Sequence, residues 1–195
     1  VAMVMLSPII EANSSGKHYS SGGCGCHSSA PSVTISENFP STYTAGQTYS
    51  IQLSVSGGTS GTHGGFNVEV DKGTFATGGS SSVKVSGKSI THSNAANRAW
   101  SFDWTAPSAG SGTVNVDIAG MTANGAYGNS GDAWSTMSLT ITETVVVTNN
   151  PPSVSNVQIT PSMATSLDDL TLAYTYSDQD GDLETGTSIH WFKNG

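Results

Sequence analysis

The sequence has very little positive charge. Only six lysine and arginine residues stand against fourteen aspartate and glutamate residues, and the formal net charge is −8. Nucleic-acid binding requires clustered positive charge, and so does adsorption to an anionic membrane surface. The composition therefore excludes a nucleic-acid-binding protein and disfavours one that binds anionic lipid.

Long apolar runs, helical periodicity and familiar catalytic motifs are also missing. No run reaches the roughly 18 apolar residues of a membrane-spanning helix, so we expect no membrane span in this sequence. The chain contains no Gly-x-Ser-x-Gly nucleophile elbow, no His-Glu-x-x-His motif and no glycine-rich loop leading into a phosphate-binding helix. These absences predict a protein that is not an enzyme, although they leave a role in electron transfer open.

The first residues, VAMVMLSPIIEA, are apolar and are followed abruptly by polar ones. We interpret residues 1–12 as the remnant of a secretory signal peptide with cleavage after Ala12; the alternative is a short buried strand or a free arm. Both ends of the chain look truncated, and we expect an anchor beyond Gly195. The serine- and threonine-rich composition suits an extracellular or cell-surface protein.

What the sequence does contain is a period of two. Alternating apolar residues from Pro31 onward predict seven or eight strands, separated by turns rich in Gly, Ser, Asn and Pro. Three aromatic residues share one strand face and are expected in the core: Trp100, Phe102 and Trp104. Their expected partners there are Ile51, Leu53, Val68 and Val116. The pattern predicts an all-β protein, an immunoglobulin-like antiparallel β-sandwich.

A domain boundary is marked by the sequence TNNPPSVSNVQITP, because Asn-Pro-Pro interrupts both helix and sheet. The predicted parts are the signal remnant (1–12), a Cys-Gly-Cys-His segment (13–30), the β-sandwich (31–148), a linker (149–152) and a partial immunoglobulin-like domain (153–195). This second, truncated β-sandwich should be the less stable part, since missing strands leave an edge unpaired.

The two cysteines lie one residue apart, in the sequence Cys24-Gly25-Cys26-His27. Two thioether bonds and the adjacent histidine could attach a c-type haem. Two other interpretations remain open. One is a local disulfide formed in an oxidising compartment. The other is a copper or zinc site, since thiolates and imidazole suit both metals.

The order of several short motifs resembles the choice-of-anchor V domain, a secreted prokaryotic β-sandwich similar to the reeler fold. These motifs are YTAGQTY, GGFNVEV, WTAP and AGMTANGAYGNSGD, and the resemblance covers roughly residues 16–142. It implies a β-sandwich module of a cell-surface protein with a segment that looks like a c-type haem attachment site. Many members have Cys-x-x-Cys-His in this place, whereas this chain has one residue fewer between its cysteines.

A second ligand for a haem or metal would have to come from elsewhere in the chain. The candidates are His18, His63, His92, Met121 and Met137. His92 ends a predicted strand, and the resemblance implies a histidine at this position, so we prefer it. His18 comes next, because it is close in sequence to the cysteines.

These observations lead to two hypotheses about function. The first is a haem-binding or redox module of a larger surface protein, with haem c attached at Cys24 and Cys26, His27 and His92 as ligands, and an unknown surface or redox partner. The second is a non-catalytic structural or adhesive module, with a local disulfide or a copper or zinc site at the same residues.

The back half of the chain resembles the immunoglobulin- or cadherin-like repeats of large surface proteins, through PPSVSNVQITP and SDQDGDLE. The second sequence places four carboxylates within seven positions: Asp178, Asp180, Asp182 and Glu184. Alternating carboxylates around a glycine can supply the oxygen ligands that calcium prefers. We predict a calcium site here; the alternative is an acidic, solvated turn. Asp132 and Glu143 are expected to be ordinary surface acids.

Overall fold

The computed structural model describes residues 14–23, 27–29, 32–126, 128, 130–145 and 147–192. The chain divides into two compact units, Val1–Val145 and Val146–Gly195. All regular secondary structure in the described residues is β-strand, which confirms the predicted all-β class. No helix in these ranges is long and apolar enough to cross a membrane. The predicted signal remnant, residues 1–12, lies outside the described residues.

Eleven strands lie in the described part of the first unit. In chain order they are β1 (Ser28–Ser29), β2 (Val33–Glu37), β3 (Thr42–Tyr43), β4 (Thr48–Gly57), β5 (His63–Val70), β6 (Thr74–Ala76), β7 (Val83–Ser86), β8 (Ser89–His92), β9 (Ala99–Thr105), β10 (Val114–Ala123) and β11 (Ala133–Glu143). The sequence predicted seven or eight. β1 and β3 have two residues each and β6 has three, which is too short for an alternating pattern to be recognised.

The strands form two sheets. The larger has seven strands, six of them in the order β1-β11-β10-β5-β8-β7, with β3 pairing with β11 as well. The smaller has the order β2-β4-β9-β6. Pairing is antiparallel except where the short strands β1 and β3 run parallel to β11.

The core lies between the two sheets and is rich in aromatic rings. Trp100, Phe102 and Trp104 on β9 are all buried. Phe66 of the larger sheet lies 4.7 Å from Trp100 and 5.7 Å from Phe102, measured between ring centroids. The other core residues predicted from the sequence, Ile51, Leu53, Val68 and Val116, are buried as well. The predicted orientation of these side chains toward the core is confirmed, and each large buried side chain contributes about 1.5–3 kcal/mol.

We call the face of the larger sheet that points away from the core its outer face. Strand alternation places Asn67, Ser89 and Thr91 on it, because their neighbours Val68 and Ile90 point into the core. All three polar residues are nevertheless buried. They are covered by residues 14–23, the part of the chain that precedes the cysteines.

The second unit contains two described strands, β12 (Ser153–Thr160) and β13 (Thr171–Ser177), which pair antiparallel. Every residue of β12 is exposed. Large apolar side chains such as Leu183 and Phe192 are exposed as well. Because a two-stranded pair is only marginally stable by itself, this unit should unfold more readily than the first.

Candidate functional site

The N-terminal segment, residues 14–23, lies across the outer face of the larger sheet. Its first part crosses β7 and β8. Lys84 Nζ donates a hydrogen bond to the Gly16 carbonyl at 3.2 Å, and His18 Nδ1 lies 3.1 Å from Ser89 Oγ. Burial, and to a smaller degree the charge of Lys84, lower the pKa of His18. His18 therefore helps to dock the segment through a hydroxyl contact.

The second part of the N-terminal segment crosses β5. The Ser20 amide donates to Asn67 Oδ1 at 3.0 Å, and the Ser21 amide donates to Glu69 Oε1 at 2.8 Å. Asn67 Nδ2 in turn donates to Ser89 Oγ at 2.7 Å. The polar side chains of the outer face are thus hydrogen-bonded to the N-terminal segment and to one another. This pairing explains why they can be buried without penalty.

Both flanks of the cysteine pair are held at Trp134 on β11. Gly23 has a φ of +99°, and a Cβ atom there would overlap the Trp134 ring, so the backbone lies directly on the indole. On the other side, Trp134 Nε1 donates to the His27 carbonyl at 2.8 Å. Residues 24–26, which include both cysteines, lie outside the described residues. The residues on either side of them, Gly23 and His27, nevertheless both contact Trp134.

His27 lies against a carboxylate. Its Nδ1 is 3.4 Å from Asp132 Oδ2, and the two side chains are only 3% and 4% exposed. The contact is electrostatic, since Nδ1 has no aligned hydrogen-bond partner among the described residues. The other carboxylate oxygen, Asp132 Oδ1, accepts a hydrogen bond from the Asn124 amide at 3.0 Å. Asp132 is buried, so the expectation that it is an ordinary surface acid is wrong.

Glu143 is also more than a surface acid, although it is partly exposed. Its carboxylate accepts hydrogen bonds from the amides of Gly112 at 2.7 Å and Gly110 at 2.8 Å. These bonds, Gly112 first, lower the pKa of Glu143. Tyr43, which is fully buried, donates to the Gly112 carbonyl at 2.6 Å. Glu143 thus fastens the loop before β10 to the end of β11.

His92 ends β8 and turns its ring toward the backbone of β5. Its Nδ1 lies 3.0 Å from the Phe66 amide nitrogen and 3.2 Å from the Phe66 carbonyl oxygen. The side chain is buried, and burial lowers its pKa. The imidazole is therefore neutral at physiological pH. Its Nε2 is buried and has no hydrogen-bond partner in the described part of the chain.

The two distances to Phe66 allow two tautomers of His92. If Nδ1 accepts the Phe66 N–H, the ring proton sits on Nε2 as a buried, unpaired donor. If Nδ1–H donates to the Phe66 carbonyl, Nε2 carries a free lone pair. Histidine ligands generally donate their other ring N–H to a carbonyl or carboxylate. The second tautomer is the form that binds a metal, and its Nδ1–H would donate to the Phe66 carbonyl at 3.2 Å. It would also face the Phe66 N–H, whose donation to Nδ1 at 3.0 Å favours the first tautomer when no ligand is bound.

The ring of His92 lies beside Gly65 and also packs against the core, with its centroid 6.2 Å from those of Phe66 and Trp100. A Cβ atom on Gly65 would point away from the core, because Phe66 beside it points inward. That Cβ would lie 2.5 Å from His92 Cε1 and 2.9 Å from Nε2. Gly65 pairs with Met121, and Met121 pairs with Trp134. With strands about 4.8 Å apart, Gly65 and Trp134 are roughly 10 Å from each other.

The structure therefore brings three features to one end of the larger sheet: the flanks of the cysteine pair, His27, and the unpartnered nitrogen of His92. Of the other candidate ligands, Met121 lies in the same row of paired residues. Met137 packs against the core, and the ring of His63 lies against Gly125. The described residues alone bring no three His, Cys, Asp or Glu side chains together as a metal site.

The acidic sequence of the second unit forms a hydrogen-bonded turn. Asp178 Oδ1 accepts from the amides of Asp180 at 2.8 Å and Asp182 at 3.2 Å. Asp180 Oδ1 accepts from Asn150 Nδ2 at 3.1 Å. Two of the four predicted calcium ligands thus have protein donors in this turn.

Glu184 has donors of its own. Its Oε1 accepts from Thr187 Oγ1 at 2.6 Å and from the Tyr174 hydroxyl. Both bonds, that from Thr187 first, lower the pKa of Glu184. Calcium binding at this turn stays a prediction.

No protein-family model and no curated protein matches this chain. The chain is similar to the solved structure of the human F-spondin reeler domain (fragment 2), with 16% identity and a TM-score of 0.44 over 58% of this chain and 93% of that one. It is also similar to the Reelin-N domain of F-spondin, with 15% identity and a TM-score of 0.44 over 67% of this chain and 94% of that one.

Proposed function

We propose that this chain is a module of a secreted or cell-surface protein that holds a c-type haem for electron transfer. The observation that supports this best is the common position of two features. The flanks of Cys24 and Cys26 and the buried, unpartnered Nε2 of His92 all lie at one end of the larger sheet. An unpaired buried nitrogen costs free energy unless a ligand uses it.

The residues fit the requirements of such a group. Cys24 and Cys26 would form the covalent attachment, His27 would bind the iron, and His92 would be the second ligand. Each histidine has an oxygen near Nδ1 that would serve as an acceptor: Asp132 Oδ2, in electrostatic contact at 3.4 Å, for His27 and the Phe66 carbonyl at 3.2 Å for His92. Such acceptors orient a ring so that Nε2 faces the metal. A bound haem would supply one-electron redox chemistry.

This module would exchange electrons with a surface or redox partner. The N-terminal segment would contribute by holding the cofactor against the larger sheet. The N-terminal segment is tied to β5 and β8 by side-chain hydrogen bonds before the cysteines are reached. We infer that this docking orders the attachment site.

A structural or adhesive module is the second candidate, and the same docking supports it. Residues 14–23 cover buried polar side chains of the outer face and would do so without any cofactor. Cys24 and Cys26 could then close a disulfide, although a ring with one intervening residue adds little loop-closure stabilisation. A copper or zinc ion bound by the two thiolates and the two histidines is the third possibility.

One experiment separates these functions. The chain is produced in cells with and without a c-type haem maturation system and examined by intact mass and absorption. We expect a mass increase of one covalent haem and a Soret band, both lost in Cys24→Ala/Cys26→Ala and retained in the control His63→Ala. A mass lower by two hydrogens, with no haem, would establish the disulfide instead. A copper or zinc ion in the native mass spectrum would establish the metal site.

A further inference from the structure

We propose that Asp132 is the positioning residue of His27: it fixes the imidazole in the Nδ1–H tautomer and so presents Nε2 as the ligating atom. This inference rests on the proposed function, because it assigns a role to His27 at the cofactor site. Asp132 was not a candidate from the sequence. Asp132 is buried, which is unusual for a carboxylate.

The two carboxylate oxygens of Asp132 have different partners. Oδ1 accepts from the Asn124 amide at 3.0 Å, and Oδ2 lies 3.4 Å from His27 Nδ1. The loop between Asn124 and Asp132 is itself closed, because Asn124 Nδ2 donates to the Ser130 carbonyl at 2.9 Å. With Oδ1 held by this loop, the direction of Oδ2 toward the imidazole is set by the sandwich and not by His27.

Three consecutive residues at the beginning of β11 restrain His27: Asp132, which directly precedes the strand, Ala133 and Trp134. Asp132 contacts the ring, and Ala133 pairs with Ser28, the residue that follows His27. Trp134 donates to the His27 carbonyl. Three consecutive residues therefore fix the ring, the following residue and the backbone oxygen. Because the start of β11 belongs to the sandwich, His27 is presented by a rigid element, as a preorganised ligand requires.

The charge of Asp132 selects the tautomer. Both side chains are almost fully buried, so their interaction is screened much less than a surface contact. A carboxylate next to Nδ1 favours the tautomer with the proton on Nδ1, which leaves the Nε2 lone pair free. If the proton moved to Nε2, that nitrogen could no longer bind a metal. The Asp132 carboxylate would then face the lone pair of Nδ1, which is unfavourable.

The test is Asp132→Asn, read by long-range ¹H–¹⁵N NMR on the haem-free whole chain labelled in its histidines, with the thiols reduced. The asparagine retains an oxygen for the Asn124 amide but presents N–H groups to His27. We expect the wild-type His27 to be in the Nδ1–H form and the variant to move to the Nε2–H form. The matched control is Asp117→Asn, whose carboxylate bonds Ser138 on the same sheet; it should leave the tautomer unchanged.

Asp132→Glu separates positioning from loss of structure. It retains the charge, and it should keep the Nδ1–H form if the variant folds, as judged by the dispersion of its amide resonances. If Asp132→Asn retains the Nδ1–H form, or if the wild type is in the Nε2–H form, the proposal is overturned even where haem attaches. If the tautomers behave as expected but no haem or metal binds, Asp132 orients His27 and the proposed cofactor function fails instead.

Discussion

Replacing Gly65 by alanine tests whether the ring of His92 lies where the structure places it. The added methyl group would lie 2.5 Å from His92 Cε1 and 2.9 Å from Nε2, closer than carbon and nitrogen atoms can approach without movement. The backbone of β5 cannot move easily, because both of its neighbours in the sheet, β10 and β8, hold it. We expect the imidazole to be displaced from the Phe66 backbone.

The magnitude follows from two destabilising contributions and one that opposes them. Inserting a methyl group into a closely packed site costs about 1–3 kcal/mol. Losing the contact between His92 Nδ1 and the Phe66 backbone costs about 0.5–1.5 kcal/mol. Alanine also restricts the unfolded chain, which returns about 0.4–1 kcal/mol. Gly65→Ala should therefore lower the free energy of unfolding of the first unit by roughly 0.5–4 kcal/mol.

The assay is urea unfolding followed by tryptophan fluorescence. Gly22→Ala is the matched control, because a Cβ atom at Gly22 would meet nothing within 4 Å; it should change the free energy of unfolding by no more than about 0.5 kcal/mol. The double variant Gly65→Ala/His92→Ala isolates the clash. If the methyl group collides with the ring, the double variant should be more stable than the sum of the two single changes implies, by about 0.5–3 kcal/mol.

Two outcomes would refute this reasoning. Gly65→Ala could prove as harmless as Gly22→Ala, or the two changes at Gly65 and His92 could prove additive. Either result would place the His92 ring away from Gly65. The second-ligand role of His92 in the proposed function would then lose its structural support.

Three further predictions concern the core, the loop before β10 and the second unit. Trp104 is fully buried and stacks on Tyr49 at 5.7 Å, so Trp104→Ala should lower the free energy of unfolding in urea by about 3–5 kcal/mol. The control Trp191→Ala, at a half-exposed position, should lower it by less than about 0.5 kcal/mol, and a loss below about 1 kcal/mol for Trp104→Ala would contradict the packing. The folded-state pKa of Glu143 is depressed, so the stability that this carboxylate contributes is complete above its ordinary pKa of 4.5 and disappears as pH falls through the folded-state pKa. The difference in free energy of unfolding between wild type and Glu143→Gln should therefore shrink in acid, and a difference that stays constant with pH would refute this. Calcium should raise the unfolding temperature of the second unit in calorimetry, and Asp182→Asn should abolish the rise; equal temperatures in calcium and in chelator would rule out the site.

The sequence by itself determined the fold class and the composition of the core. Alternation along β9 was enough to place Trp100, Phe102 and Trp104 inside, because a strand directs successive side chains to opposite faces whatever its partners are. The sequence also led to the expectation that Asp132 and Glu143 are surface acids. That expectation was incomplete, since periodicity distinguishes the two faces of a strand but not what covers the second one.

Only the tertiary structure decided what lies on the outer face. The N-terminal segment covers Asn67 and Ser89 through hydrogen bonds to residues 47 and 71 positions away. Trp134 holds His27 from a distance of 107 positions, and Asp132 meets His27 because β1 adds to the edge of the sheet beside β11. Such contacts depend on strand order and register, which the spacing of residues along the chain does not encode. Asp132 and Gly65 therefore had no recognisable signal in the sequence, although they define the surroundings of the two histidines.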